Sequence, residues 1–271
     1  MNASPPSADD RYGSAYREFD SPLKRRLRAE AYGEDIGQHS WVTAEQMRGD
    51  IVRLGLTSAS RLLDLGCGPC GPLTFAVREV GCHGAGVELS AAALAVGRAR
   101  ARELGVEERI TLHEADLDQP LPFADSAFDA AMSLDVVLHV RDRLALFREV
   151  ARVLAPGGRF LFTDAGVVTG AVTDEEIRRR SAHGPTQFVP PGFDERMLEQ
   201  AGFRLIESED RTAAALANAT GRRDALLAHR AELVRLEGAD ELDRQQRYLE
   251  TVLEISRRGA VSRMMYVAER P

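Results

Sequence analysis

The feature that most limits what this chain can fold into is an alternation of two periodicities across residues 61–163. Short apolar runs at Arg61–Leu65, Gly84–Leu89, Ile110–Ala115, Phe128–Leu134 and Arg159–Thr163 have the length and density of strands buried on both faces. Helical patterns at Gly71–Val80, Ala91–Leu104 and Asp142–Leu154 separate them. Strands alternating with helices in this way predict a parallel, doubly wound α/β sheet. Ala155-Pro156-Gly157-Gly158 is expected to be a clean break, because proline cannot extend the helix and the glycines permit a turn into the next strand.

The flanks follow a different pattern. Residues 1–13 are rich in Ser, Pro and Asp and are expected to be a disordered tail. Residues 14–56 suit a helical lid: Tyr16–Ala31 suits a short helix or two, with Pro22 opening the second, and Thr43 caps a helix that Gly55 ends after Leu54. A core is placed at 57–166, and 167–271 supplies cap helices and the remaining strands of the same domain. Those elements are helices at Asp174–Arg180 and Phe193–Ala201, a strand at Arg204–Ser208, a helical insert at 211–258 and a final strand at Ser262–Glu269. The Leu, Val and Tyr stripes of the insert suit either a cap over a pocket or a homodimer interface.

Charge and composition exclude some partners. A net charge of −7 argues against nucleic acid, whose phosphates are met by clustered positive charge. Lys24 is the only lysine among 35 basic residues, which with the abundant alanine points to genomic bias rather than an arginine-built binding face. No apolar run approaches the ~18 residues of a membrane span, and the first residues lack the pattern of a signal peptide. Three cysteines, two of them in one glycine-rich loop, do not make a disulfide framework, so a cytoplasmic setting is expected.

That loop carries the chemistry. Gly66, Gly68 and Gly71 fit G-x-G-x-x-G between a strand and a helix, a pattern that also serves dinucleotide-binding domains. A pyrophosphate needs free backbone N–H groups at the helix N-terminus, and Pro69 and Pro72 each remove one. The five parallel strands end at or near Asp64, Glu88, Asp116, Asp135 and Asp164, an acidic rim better suited to a cationic ligand with ribose hydroxyls than to two phosphates. Glu88 stands 20 residues after Gly68, where either kind of adenosine ligand would have its ribose acid.

These residues resemble a family. Leu63-Asp64-Leu65-Gly66-Cys67-Gly68 is similar to the first motif of class I S-adenosylmethionine (SAM)-dependent methyltransferases, and Val87-Glu88-Leu89-Ser90 to the second. Glu114-Ala115-Asp116-Leu117, Leu121-Pro122-Phe123, Ser126-Ala127-Phe128-Asp129 and Arg152-Val153-Leu154-Ala155-Pro156-Gly157-Gly158 continue the likeness, strongest over 60–165. The resemblance implies a Rossmann-like seven-stranded sheet with its last strand antiparallel. It also implies that Asp64, Gly66 and Gly68 line the methionine end of SAM and that Glu88 binds the ribose. Asp116 would take the adenine amine, with Leu89 and Leu117 against the ring. Leu134 would lie near the methionine, and Tyr16 near its carboxylate.

For the acceptor, His139 just beyond the fourth strand is the candidate base, since histidine suits proton removal near neutral pH. Asp164 is a second base or an orienter of His139. The segment Gly33–Trp41 resembles the lid loop of glycine/sarcosine-type and natural-product methyltransferases, which would place His39 and Trp41 at the acceptor, with a core anchor for the Thr43–Leu54 helix as the alternative for Trp41; Phe188 completes the expected cap. The leading reading is methyl transfer to oxygen or nitrogen of a small metabolite, with a cationic or amine acceptor suited to an acidic cap and no metal. Carbon methylation of an electron-rich ring and NAD(P)-dependent oxidation are the alternatives.

Overall fold

A computed structural model of the chain describes Tyr16 and residues 18–181 and 184–271. The tail expected at 1–13 lies outside the described residues. Ahead of the sheet lie α1 (Pro22–Tyr32) and α2 (Ala44–Leu54). Pro22 sits in the first turn of α1, where its missing N–H has no helical partner to lose. Thr43 and Gln46 close a reciprocal capping box on α2, and Gly55 ends it in the left-handed region at φ +68°.

The sheet is assembled from β1 (Arg61–Leu65), β2 (His83–Glu88), β3 (Ile110–Glu114), β4 (Phe128–Leu134), β5 (Leu154–Val168), β6 (Arg204–Asp210) and β7 (Val261–Glu269). Between the early strands run α3 (Gly71–Val80), α4 (Ala91–Glu103) and α5 (Arg143–Val153). The strand order is β3-β2-β1-β4-β5-β7-β6. Neighbours from β3 through β5 pair in parallel, and β7 runs antiparallel to both β5 and β6. Alternate residues feed two cores. Leu62, Met132 and Leu161 pack with α2 and α3 on one face, while Leu63, Ala131, Phe160 and Phe162 pack with α5 on the other.

The Pro-Gly-Gly turn is less of a break than the sequence predicts. Helix α5 does end at Val153, but β5 begins at Leu154. Phe128 already pairs with Leu154 and Ala130 with Arg159, so the extra residues form an irregularity within the ladder.

After β5 come α6 (Asp174–Arg180), α7 (Phe193–Gln200) and the insert, which divides into α8 (Thr212–Ala228), α9 (Arg230–Glu237) and α10 (Ala239–Arg257). The insert spends most of its apolar stripe inside the chain. Leu249, Val252 and Leu253 pack with Trp41, and Leu233 and Leu242 with Leu27 of α1. A buried ion pair ties the start of the insert to the lid: Arg211 donates to both oxygens of Asp50 on α2, at 2.8 and 2.6 Å. Among the described residues no helix is long and apolar enough to cross a membrane.

Candidate active site

The order of the strands reverses between β1 and β4, and a crevice opens beyond their carboxyl ends, as the topology of an open α/β sheet dictates. Its floor is the β1–α3 loop. Gly66 adopts φ +73°, and a Cβ there would come within 2.5 Å of Val136. The loop is stitched to β2 by its own amides: Gly66 and Cys67 N–H donate to Val87 O, and Gly68 N–H to Glu88 Oε2 at 3.0 Å. The Cys70 N–H donates to Cys67 O. With Pro69 and Pro72 lacking an N–H, little remains to cradle a pyrophosphate, so the nicotinamide alternative loses its anchor.

The loop is roofed by the lid. At Gly71 an added Cβ would lie 2.1 Å from Gly37 O, so glycine is what lets the lid backbone rest on the start of α3. Cys67 and Cys70 are both buried with their sulfurs 3.6 Å apart. The bond from Cys70, then burial, pushes the Cys67 thiol well up, so it is not a poised nucleophile.

Tyr16, His39, Trp41, Asp64, Gly66, Gly68, Glu88, Leu89, Asp116, Leu117, Leu134 and His139 all line this one cavity. Asp64 is almost fully buried, and no basic side chain pairs with it among the described residues. Burial, then repulsion from Glu88, pushes its carboxyl up to about 8. Burial likewise raises Glu88, against the lowering effect of the Ser90 and Gly68 amides that it accepts from. Two crowded carboxyl groups with no basic partner among the described residues are a site prepared for positive charge.

The acidic rim is smaller than the sequence suggests. Asp135 also lines the cavity, in the left-handed region at φ +60°, but its charge is spent. Arg263 Nε donates to it at 2.8 Å, as do Thr163 Oγ1 and the Trp41 amide. Burial alone would raise its carboxyl; Arg263 outweighs that and holds it low. Asp164 is fully buried and does not line the cavity. It accepts from Arg143 at 2.5 Å, and Arg143 also holds Asp194 at 2.7 Å. A carboxylate so clamped cannot reach an acceptor proton, nor does it touch His139. Phe188 is also away from the cavity, packed beside Val172 against Ile255, Ala260 and Val261, because residues 187–189 lie along the edge of β5.

His139 sits in a single 3-10 turn after β4, Val137–His139. Its Nδ1 lies 2.9 Å from Pro185 O. A carbonyl only accepts, so that contact fixes the proton on Nδ1 and leaves the Nε2 lone pair unprotonated. Burial lowers its pKa more than the carbonyl raises it, which keeps the ring neutral near pH 7. Trp41 is held from three sides. Its amide donates to Asp135 at 2.8 Å, its carbonyl accepts from Asn218 at 2.6 Å, and its ring stacks on Tyr248 with centroids 6.5 Å apart.

Three lining residues have no signal in the sequence: Arg180, Arg222 and Tyr248. Arg180 ends a run of three arginines in an arginine-biased chain, and only the fold shows that it turns inward. The cap at this end therefore contributes two arginines and a tyrosine, where the sequence led to the expectation of an acidic cap.

Comparison with known proteins fits this site. Residues 63–162 match the family described as a methyltransferase domain. A glycine/sarcosine/dimethylglycine N-methyltransferase of Actinopolyspora halophila is 33% identical over 65% of this chain and 31% of its own length. The 27-O-demethylrifamycin SV methyltransferase of Amycolatopsis mediterranei is 31% identical over 58% of each. Residues 63–162 of the chain form a methyltransferase domain. The chain spans less than two thirds of either relative. A solved phosphoethanolamine N-methyltransferase 2 from Haemonchus contortus, in complex with SAM, superposes with a TM-score of 0.83 at 22% identity, over all of this chain and 61% of that one, and shares its fold.

Proposed function

We propose that this chain uses SAM to methylate an oxygen or nitrogen of a small-molecule metabolite, in natural-product biosynthesis, with His139 as the base. The observation that carries the reading is the pairing, in one cavity, of an uncompensated acidic floor with a neutral histidine beside it.

The residues present suit SAM. Asp64, Gly66 and Gly68 would face its methionine end, where Asp64 meets positive charge, with Leu134 alongside and Tyr16 toward the carboxylate. Glu88 would accept from both ribose hydroxyls, and Asp116 from the adenine amine, with Leu89 and Leu117 on the ring. SAM supplies an electrophilic methyl group on a sulfonium. The chain's own contribution is positioning and proton removal. The lid, seated through Gly37 on Gly71, excludes water, while Trp41 and His39 wall the acceptor and Nε2 of His139 takes its proton. A cytoplasmic location and a homodimer remain part of the proposal; Leu227 and Leu236 are the exposed leucines the insert offers for self-association.

The test is transfer of a radiolabelled methyl group from SAM to a small-metabolite extract. Label is expected in a low-molecular-weight product, with at least tenfold less in His139→Ala. A chain that binds SAM and labels nothing would contradict the reading.

A further inference from the structure

Six arginines of the described chain are buried. Five have a carboxylate partner: Arg28 pairs with Asp20 and Asp35, Arg100 with Asp20, Arg143 with Asp164 and Asp194, Arg211 with Asp50, and Arg263 with Asp135. This matches the rule that a guanidinium taken out of water brings a counter-ion with it. Arg180 is the exception. It is 6% exposed and lines the cavity, with no carboxylate within ion-pair distance among the described residues. Its fork is fixed by donation to Tyr248 Oη at 2.8 Å and Ala165 O at 3.2 Å, both neutral. A second arginine of the same wall, Arg222, lies over the Trp41 ring at 4.9 Å and also has no carboxylate partner among the described residues.

We infer that the acceptor carries an anionic group, a carboxylate or a phosphate, which docks on Arg180 and Arg222 against the Trp41–Tyr248 wall. The inference rests on the proposed methyltransferase reading and names the class of substrate that reading leaves open. The cavity is then polarised from end to end. Asp64 and Glu88 receive the positive part of the cofactor, and Arg180 and Arg222 receive the negative part of the acceptor. The charge of the acceptor sets which molecules enter and how they are turned, because a planar guanidinium binds such oxyanions through two N–H groups at once.

The test titrates the full chain, saturated with S-adenosylhomocysteine, with inorganic phosphate and separately with acetate. Calorimetry and the fluorescence of the single tryptophan, Trp41, follow binding. At least one anion is expected to bind saturably, and the tighter of the two tells phosphate from carboxylate. Arg180→Met should weaken that anion at least tenfold and Arg222→Gln about threefold, with homocysteine-product affinity unchanged within twofold in both. If Arg180→Met does not fold, Arg180→Lys, which keeps the charge but not the fork, should give an intermediate loss. Saturable binding of neither anion, or binding indifferent to these variants, overturns the inference while leaving the cofactor reading intact. A tenfold loss of S-adenosylhomocysteine affinity in Arg180→Met without anion binding also overturns it, by making the cofactor carboxylate the counter-ion. Should S-adenosylhomocysteine itself fail to bind, the methyltransferase reading falls, and the same anion titration of the uncomplexed chain still decides the arginine site.

Discussion

At the cofactor end of the cavity, the contact that shapes the floor joins residues 20 apart, Gly68 to Glu88. At the acceptor end the separations are of another order: Trp41 to Asp135 spans 94 residues, Arg263 to Asp135 spans 128 and Asn218 to Trp41 spans 177. The first end is made by one strand–loop–helix unit and the strand beside it. The second is made where the lid, α6, α8, α10 and β7 happen to converge. They also differ in sign. Among the described residues, Asp64 and Glu88 at one end have no basic partner, and Arg180 and Arg222 at the other have no carboxylate partner. A fold can keep its cofactor floor fixed by local geometry while the converging elements change what the far wall accepts.

The largest effect should come from cutting the local end. Glu88→Ala removes the ribose carboxylate and also the acceptor for the Gly68 amide, so SAM affinity is expected to fall about 100-fold, read by calorimetry. A loss confined to turnover would show that the floor is not where SAM sits. His139→Ala cuts the other end. It should lower kcat at least tenfold while SAM affinity stays within about threefold. In the unaltered chain, kcat should hold down to below pH 6.5, because burial depresses the histidine, and then fall as Nε2 is protonated.

The sign of the floor can be tested by pH. With the Asp64 carboxyl raised to about 8, a cationic ligand must expel its proton to use the charge. SAM affinity is therefore expected to rise about tenfold between pH 6 and pH 7, with proton release visible when calorimetry is repeated in buffers of different ionisation enthalpy. Asp64→Asn should flatten that rise. The smallest effect belongs to the wall: Trp41→Phe should cost about 1 kcal/mol of stability in denaturant melts, from lost stacking on Tyr248, and leave SAM affinity within twofold. A large loss of SAM affinity there would mean that the two ends are not separable.

The same contrast explains what could be read from the sequence. The strands β1 and β4, helix α3 and the cap of α2 follow from short-range chemistry: apolar runs, a glycine loop, Thr43 with Gln46. Seven strands with the last antiparallel are implied by the resemblance of local motifs rather than by periodicity, and the strand order is seen only in the fold. Legibility ended where charges pair over long distances. Asp64, Glu88, Asp116, Asp135 and Asp164 look alike as acids at strand ends, yet Arg263 and Arg143, which neutralise two of them, arrive from β7 and α5. Phe188 is expected in the cap beside the insert, and only the strand-edge path of 187–189 turns it away. Arg180 is hidden among its neighbours Arg178 and Arg179, which pair with Glu175 on the surface.

The central claim is that the acidic floor of the β1–β4 crevice holds SAM. It is met most directly by parallel calorimetric titrations of the full chain with SAM and with NADH at pH 7. One-to-one binding of SAM with release of a proton, and no saturable heat from NADH, is the expected result. Saturable NADH binding with none for SAM would contradict the account.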